Sequence, residues 1–228
     1  MNIMNMTIEI CCDGFEKALS ACEAGADRIE LCQELAIGGT TPPHETIRRV
    51  VGALNIPVNV LIRPRGGDFV YAHSEVGQIL DDIRFCGELL ENGEKVNGVV
   101  FGALLRDGSV DTDATREMAR EAHRQGLSTT FHRAIDESAD IFKNLQAIMD
   151  IGGIDRILTS GGASDAYSGR MVIAEMVRMA HGKLSIMAGC GVTAANATAI
   201  AAATGIHEIH GSRLEIIPAL RSEQASSA

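Results

Sequence analysis

A closed barrel of eight parallel strands, each followed by a helix, is the α/β fold that three observations in the sequence predict. Short β-rich runs alternate with longer helical patterns from one end of the chain to the other. No linker or shift in composition interrupts that alternation, so residues 1–228 read as a single domain. The chain also divides into eight repeats of roughly 25–40 residues, the length of one strand, one helix and their connections in a closed (β/α)₈ barrel. Strands joined through helices lie parallel and cross over with the right hand. A doubly wound open sheet is the competing architecture, but the first strand-to-helix turn, CCDGFEKA, lacks the glycine spacing of a dinucleotide site.

The strand runs are TIEICC (7–12), DRIELC (27–32), PVNVLIR (57–63), GVVFG (98–102), STTFHR (128–133), DRILTS (155–160), LSIMAG (184–189) and HEIHGS (207–212). Helices between them have legible ends. Asp111 caps a helix that stops at Gly126, and Ile141, Phe142, Leu145, Ile148 and Met149 fall at helical spacing before Gly152 and Gly153. DAYSGRMVIAEMVRMAHG reads as a helix ending at Gly182, and Thr193 opens another rich in small residues. After the eighth strand only RLEIIPALRSEQASSA remains, with Pro218 in its middle. The eighth helix is therefore expected to be short or missing, with 213–228 a polar tail and 1–6 a flexible start. A partner chain is expected to cover that seam, which makes the protein a homo-oligomer, most simply a dimer.

Composition narrows the function. With 46% hydrophobic residues and no window near the ~18 uninterrupted apolar residues of a membrane span, the pattern is that of an ordinary globular protein. A net charge of −10 argues against nucleic acid and anionic membranes, which require clustered lysine and arginine. The ligand is expected to be a small molecule or an ion. The opening MNIMNM has no basic region, apolar stretch or cleavage site, so a cytoplasmic location is expected. In that compartment the six cysteines are reduced thiols, and no CxxC pair marks a zinc ribbon.

In such barrels, chemistry sits at the C-terminal ends of the strands. Reading only those positions gives Glu9 and Cys11, Glu30 and Cys32, Arg63 and Arg65, then His132, Arg133 and Asp136, then Thr159 and Ser160, and finally His210 with Ser212. Side chains two apart on a strand share a face, so Glu9 points with Cys11 and Glu30 with Cys32. Buried carboxylates cost several kcal/mol unless compensated, and Arg63 and Arg133 are the expected partners of Glu9 and Glu30 across the barrel mouth. A purely structural ion network is the alternative. FHRAID brings imidazole, guanidinium and carboxylate to one strand end, as a candidate acid or base group requires.

Glycine turns add candidate anion sites: Gly161 in TSGGASD, Gly189 and Gly191 in AGCGV, and RPRGGDF, where Arg65 and Asp68 flank a flexible turn able to clamp a carboxylate or phosphate. The same glycines also serve simply to permit tight turns. Cys22, Cys86 and Cys190 are expected to be packing residues. Cys11 and Cys32, on adjacent strands, are candidate metal ligands, because paired thiolates are soft donors that favour Cu(I).

Taken in order, IEICCDG, GADRIELC, GGTTP, IRPRGGDF, FGAL, TFHRAID, ILTSGG and AGCGVT closely resemble the CutC copper homeostasis protein family, over about residues 6–212. The resemblance implies a TIM barrel, a cytoplasmic homo-oligomer and a role in copper handling, with Cu(I) held by the cysteines that fall on Cys11 and Cys32. The family's charged strand-end residues fall on Glu9, Glu30, Arg63, Arg65, Asp68, His132, Arg133 and Asp136. Longer members continue where this chain ends. Two functions follow: a Cu(I)-binding homeostasis protein, or a barrel enzyme acting on a small anionic metabolite, with His132 or Glu30 moving a proton.

Overall fold

The computed structural model describes residues 6–226, with side chains to residue 222. Its strands are β1 (Thr7–Cys12), β2 (Arg28–Leu31), β3 (Val58–Leu61), β4 (Val96–Phe101), β5 (Ser128–Phe131), β6 (Arg156–Thr159), β7 (Ser185–Ala188) and β8 (Glu208–Gly211). They pair in parallel, in chain order, and β8 closes on β1 with Glu9 opposite His210. Around them run α1 (Phe15–Glu23), α2 (His44–Ala53), α3 (His73–Glu91), α4 (Thr112–Arg124), α5 (Ile141–Ile151), α6 (Arg170–Ala180), α7 (Ala197–Thr204) and α8 (Ile216–Ser226). This is the TIM barrel the alternation predicts.

The period-two alternation of each strand separates two interiors. Outward-facing Ile8, Ile10, Ile29, Leu31, Val58, Val60, Phe101, Phe131, Ile157 and Ile209 join the buried faces of the helices in one continuous core. Burying each such side chain contributes roughly 1.5–3 kcal/mol, so this layer holds the cylinder together. Cys12 belongs to this layer, where burial pushes its thiol up to about 12. Inward-facing Cys11, Cys32, Leu61 and Val100 form a small separate cluster inside the barrel. Apart from Leu158 and Met187 the rest of the lumen is largely polar, and it is there that the fold departs from an aliphatic barrel core.

The end of the chain corrects one expectation. Residues 216–226 form a helix of 11 residues, the same length as α5 and α6, so the eighth helix is neither short nor missing. Pro218 is its third residue, within the first turn, where the absent N–H has no intrahelical partner to lose. Ile216, Ile217 and Leu220 are buried; Ile216 lies against Gly211 at the end of β8, and Arg221 reaches Asp27. The seam assigned to a partner chain is thus filled by this helix. Of the start expected to be flexible, only Met6 is among the described residues, and it is buried. Helix α6 opens at Arg170 rather than in DAYSG, because the Asp165 carboxylate accepts from the Ser168 N–H and hydroxyl and folds that stretch into a turn. Asp111 caps α4 as its sequence predicts, accepting from the Ala114 N–H.

Candidate functional site

The polar lumen is built from the bottom upward as a chain of charge pairs. Arg156 on β6 donates to Glu208 on β8, and Arg28 on β2 reaches both Glu208 at 2.6 Å and Glu9 at 2.5 Å. Asn59 adds a hydrogen bond to Glu9 at 2.9 Å. Burial works to raise the Glu9 carboxyl, but Arg28 and His210 overcome it and hold the group well below the ordinary carboxylate range. Glu9 also accepts from His210 Nδ1 at 2.8 Å, and the other ring nitrogen of His210 lies 3.6 Å from Glu30. Burial would lower the His210 pKa, yet the Glu30 and Glu9 carboxylates raise it above the usual histidine value. Burial raises Glu30, with His210 opposing and Glu9 reinforcing that shift.

These pairs change the expected partnership. The cation beside Glu9 is Arg28, not Arg63 or Arg133, and Glu30 faces His210. Arg28, Glu208 and Arg156 were absent from the strand-end candidates, although each lies two residues before an inward-facing position: Glu30, His210 and Leu158. Extending the period of two one step down each strand would have found them.

Above this floor opens a pocket of about 630 Å³ at the C-terminal mouth of the barrel. One wall carries Cys11, Cys32, Glu30 and His210. The Cys11 and Cys32 sulfurs are 3.6 Å apart, and Cys11 stands opposite Glu30 in the register of β1 and β2. The hydrogen bond with Cys32, then burial and the Glu30 charge, push the Cys11 thiol well above the ordinary thiol range. Cys11, Glu30 and His210 each offer one donor atom, all within 4.8 Å of one another, an arrangement able to hold a metal ion.

Arg63, Phe69 and His132 also line the pocket. Arg63 donates to the carbonyls of Ile37, Gly39 and Gly67 at 3.2, 3.0 and 2.7 Å. Gly38, at φ 90°, leaves room for the guanidinium, since a Cβ there would lie 2.9 Å from Arg63 Nη1. His132 accepts the Ala134 N–H on Nδ1 at 3.2 Å, so Nε2 carries the ring proton. Burial and then the Arg63 charge lower its pKa to about 3, which keeps the ring neutral. As a candidate proton carrier near neutral pH, His132 is in the wrong environment; its neutral ring is a donor.

The remaining candidates divide between mouth and scaffold. Arg133, Gly191 and Ser212 line the pocket, as does Cys190, which the sequence assigned to packing. Asp136 instead is occupied by Arg133, the Thr159 and Ser160 hydroxyls and the Ser160 and Gly162 N–H groups. It ties the turn after β5 to the loop after β6, where Ser160 and Gly161 also lie. Arg65 braces the loop after β3 through Asp68, Glu75 and the Val70 carbonyl, outside the pocket lining. Gly189 allows Leu158 and His210 to approach its backbone closely but does not line the cavity.

Fold and site together define the class: a (β/α)₈ barrel protein with a thiol, carboxylate and imidazole pocket at its catalytic-type mouth. The family model described as the CutC family matches residues 6–215, and the chain belongs to that family. A family protein CutC of Parabacteroides distasonis is 44% identical over 94% of this chain and 85% of its own length. One from Vibrio atlanticus is 40% identical over 98% of this chain and 88% of its own. The solved structure of a protein named for copper homeostasis, CutC from Streptococcus agalactiae, superposes with a TM-score of 0.82 at 32% identity, covering 92% of this chain and 99% of that one. Phosphoribosylanthranilate isomerase from Pyrococcus furiosus, at 14% identity and a TM-score of 0.57, shares the fold alone. Among the described residues, no helix is long and apolar enough to cross a membrane.

Proposed function

We propose that this CutC-family protein takes part in copper homeostasis by binding Cu(I) between Cys11 and Cys32. The observation that carries the reading is the 3.6 Å separation of those sulfurs in the pocket wall. Two thiols at that spacing are soft donors suited to Cu(I), and Glu30 and His210 stand close enough to Cys11 to complete the ligand set. Glu9 holds the Nδ1 side of His210 and so turns Nε2 towards the site, the part an outer carboxylate plays behind a metal-binding histidine. The name of the Streptococcus agalactiae relative points the same way. A cytoplasmic homodimer is part of this proposal, and light scattering at micromolar concentration tests the oligomer directly.

Anaerobic titration with Cu(I) against a chromogenic chelator tests the site. The wild type is expected to take up copper that Cys11→Ser and Cys32→Ser do not, both variants remaining folded by circular dichroism. Equal stoichiometry in all three proteins would end the proposal.

A further inference from the structure

We propose that Arg63 and His132 form an oxyanion subsite, which receives the carboxylate or phosphate head of a small metabolite in the pocket that the thiols also line. Among the described arginines inside the barrel, Arg28 and Arg156 pair with carboxylates, and so does Arg133 at the mouth. Arg63 is as buried as these floor arginines, yet its hydrogen-bond partners are backbone carbonyls. Carbonyl dipoles satisfy hydrogens without cancelling a full charge, and an uncompensated buried charge is the costly state of such a group. Three of the five guanidinium hydrogens are engaged in this way, leaving Nε–H and one hydrogen on Nη2, with the Tyr71 hydroxyl close to the guanidinium.

The second donor is independent of the first. His132 is only 5% exposed, its Nδ1 is taken by the Ala134 N–H, and its Nε2 has no hydrogen-bond partner. An unpaired buried donor costs about 1–3 kcal/mol, a cost that an incoming acceptor removes. Both groups pack on a single ring: the Arg63 guanidinium lies 4.6 Å from the Phe69 centroid and the His132 ring 4.8 Å from it. One neutral N–H and one cation, held on the same aromatic plate in a cavity of about 630 Å³, offer hydrogens and positive charge but no lone pair. Such a pair repels metal ions and suits an oxyanion.

This inference stands apart from the copper reading, since it uses no thiol and the serine variants keep both Arg63 and His132. Its test is titration of the protein with inorganic phosphate and, separately, malonate. The readout is the Nε2 resonance of His132 in long-range ¹H–¹⁵N spectra, with calorimetry alongside. Saturable binding of either probe that moves this resonance is expected, and the probe that binds identifies the head group. Arg63→Gln and His132→Phe should each weaken it about tenfold or more, the loss of one strong hydrogen bond, whereas His132→Gln, which keeps a donor, should bind more tightly than His132→Phe. Absence of saturable binding of both probes to the wild type, or equal affinity in wild type and His132→Phe, overturns the proposal; if Arg63→Gln fails to fold, the two His132 variants decide it.

Discussion

The two histidines of the pocket occupy equivalent places, each at the C-terminal end of a barrel strand, and their surroundings drive them in opposite directions. His210 stands between the carboxylates of Glu9 and Glu30, and its pKa is raised. His132 stands among Phe69, Phe131 and the Arg63 guanidinium, and its pKa falls to about 3. The lesson is that a strand-end position determines where an imidazole points, while neighbours from other strands determine its charge. The groups around His210 are therefore ionic, and those around His132 are neutral and cationic donors.

The largest effect is expected from breaking the ionic group around His210 at its base. Glu9→Ala removes the partner of Arg28, Asn59 and His210 together and should cost about 3–5 kcal/mol in urea unfolding, as for other buried charges deprived of a partner. A loss below about 1 kcal/mol would mean that Glu208 alone suffices for Arg28, and the surroundings of the two histidines would then be energetically alike.

An intermediate effect separates the histidines by pH. The unfolded chain protonates His132 near 6.5 and the folded chain only near 3, so the unfolded state binds the extra proton between those values. Stability should fall as pH drops below 6.5, by at most about 1.4 kcal/mol per pH unit from this group, and His132→Gln should flatten that acid limb. His210 runs the other way: its contribution is complete below 6.5 and fades as pH rises through its elevated folded value. Ring ¹⁵N titrations that gave both histidines the same midpoint would erase the contrast.

The smallest effect should come from Arg65, two residues beyond Arg63. Its ion pairs with Asp68 and Glu75 are partly solvated, and Arg65→Ala should cost no more than about 1 kcal/mol in a thermal melt while leaving copper stoichiometry and oxyanion affinity unchanged. A change in either binding property would place this loop in the site after all.

Much of this arrangement was legible because it is local. Alternation along IEIC and IELC correctly put Glu9 with Cys11 and Glu30 with Cys32, and turn residues such as Asp111 and Gly126 marked helix ends. Partnership was not legible, because barrel closure decides it: Glu9 and His210 meet across 201 positions of sequence. The partners of Arg63 eluded the reading for a different reason, since carbonyl partners leave no mark in residue types. Pro218 misled because a proline terminates a helix from its interior but is harmless in its first turn.

The run of neighbours from Arg156 through Glu208 and Arg28 to Glu9 alternates in sign from residue to residue, and with His210 protonated the alternation continues to Glu30. Charges paired in this way largely offset one another, so an approaching ligand meets mainly the side chains that line the mouth. Selectivity at the mouth can therefore shift by replacing one or two rim side chains, while the deeper layers stay as they are.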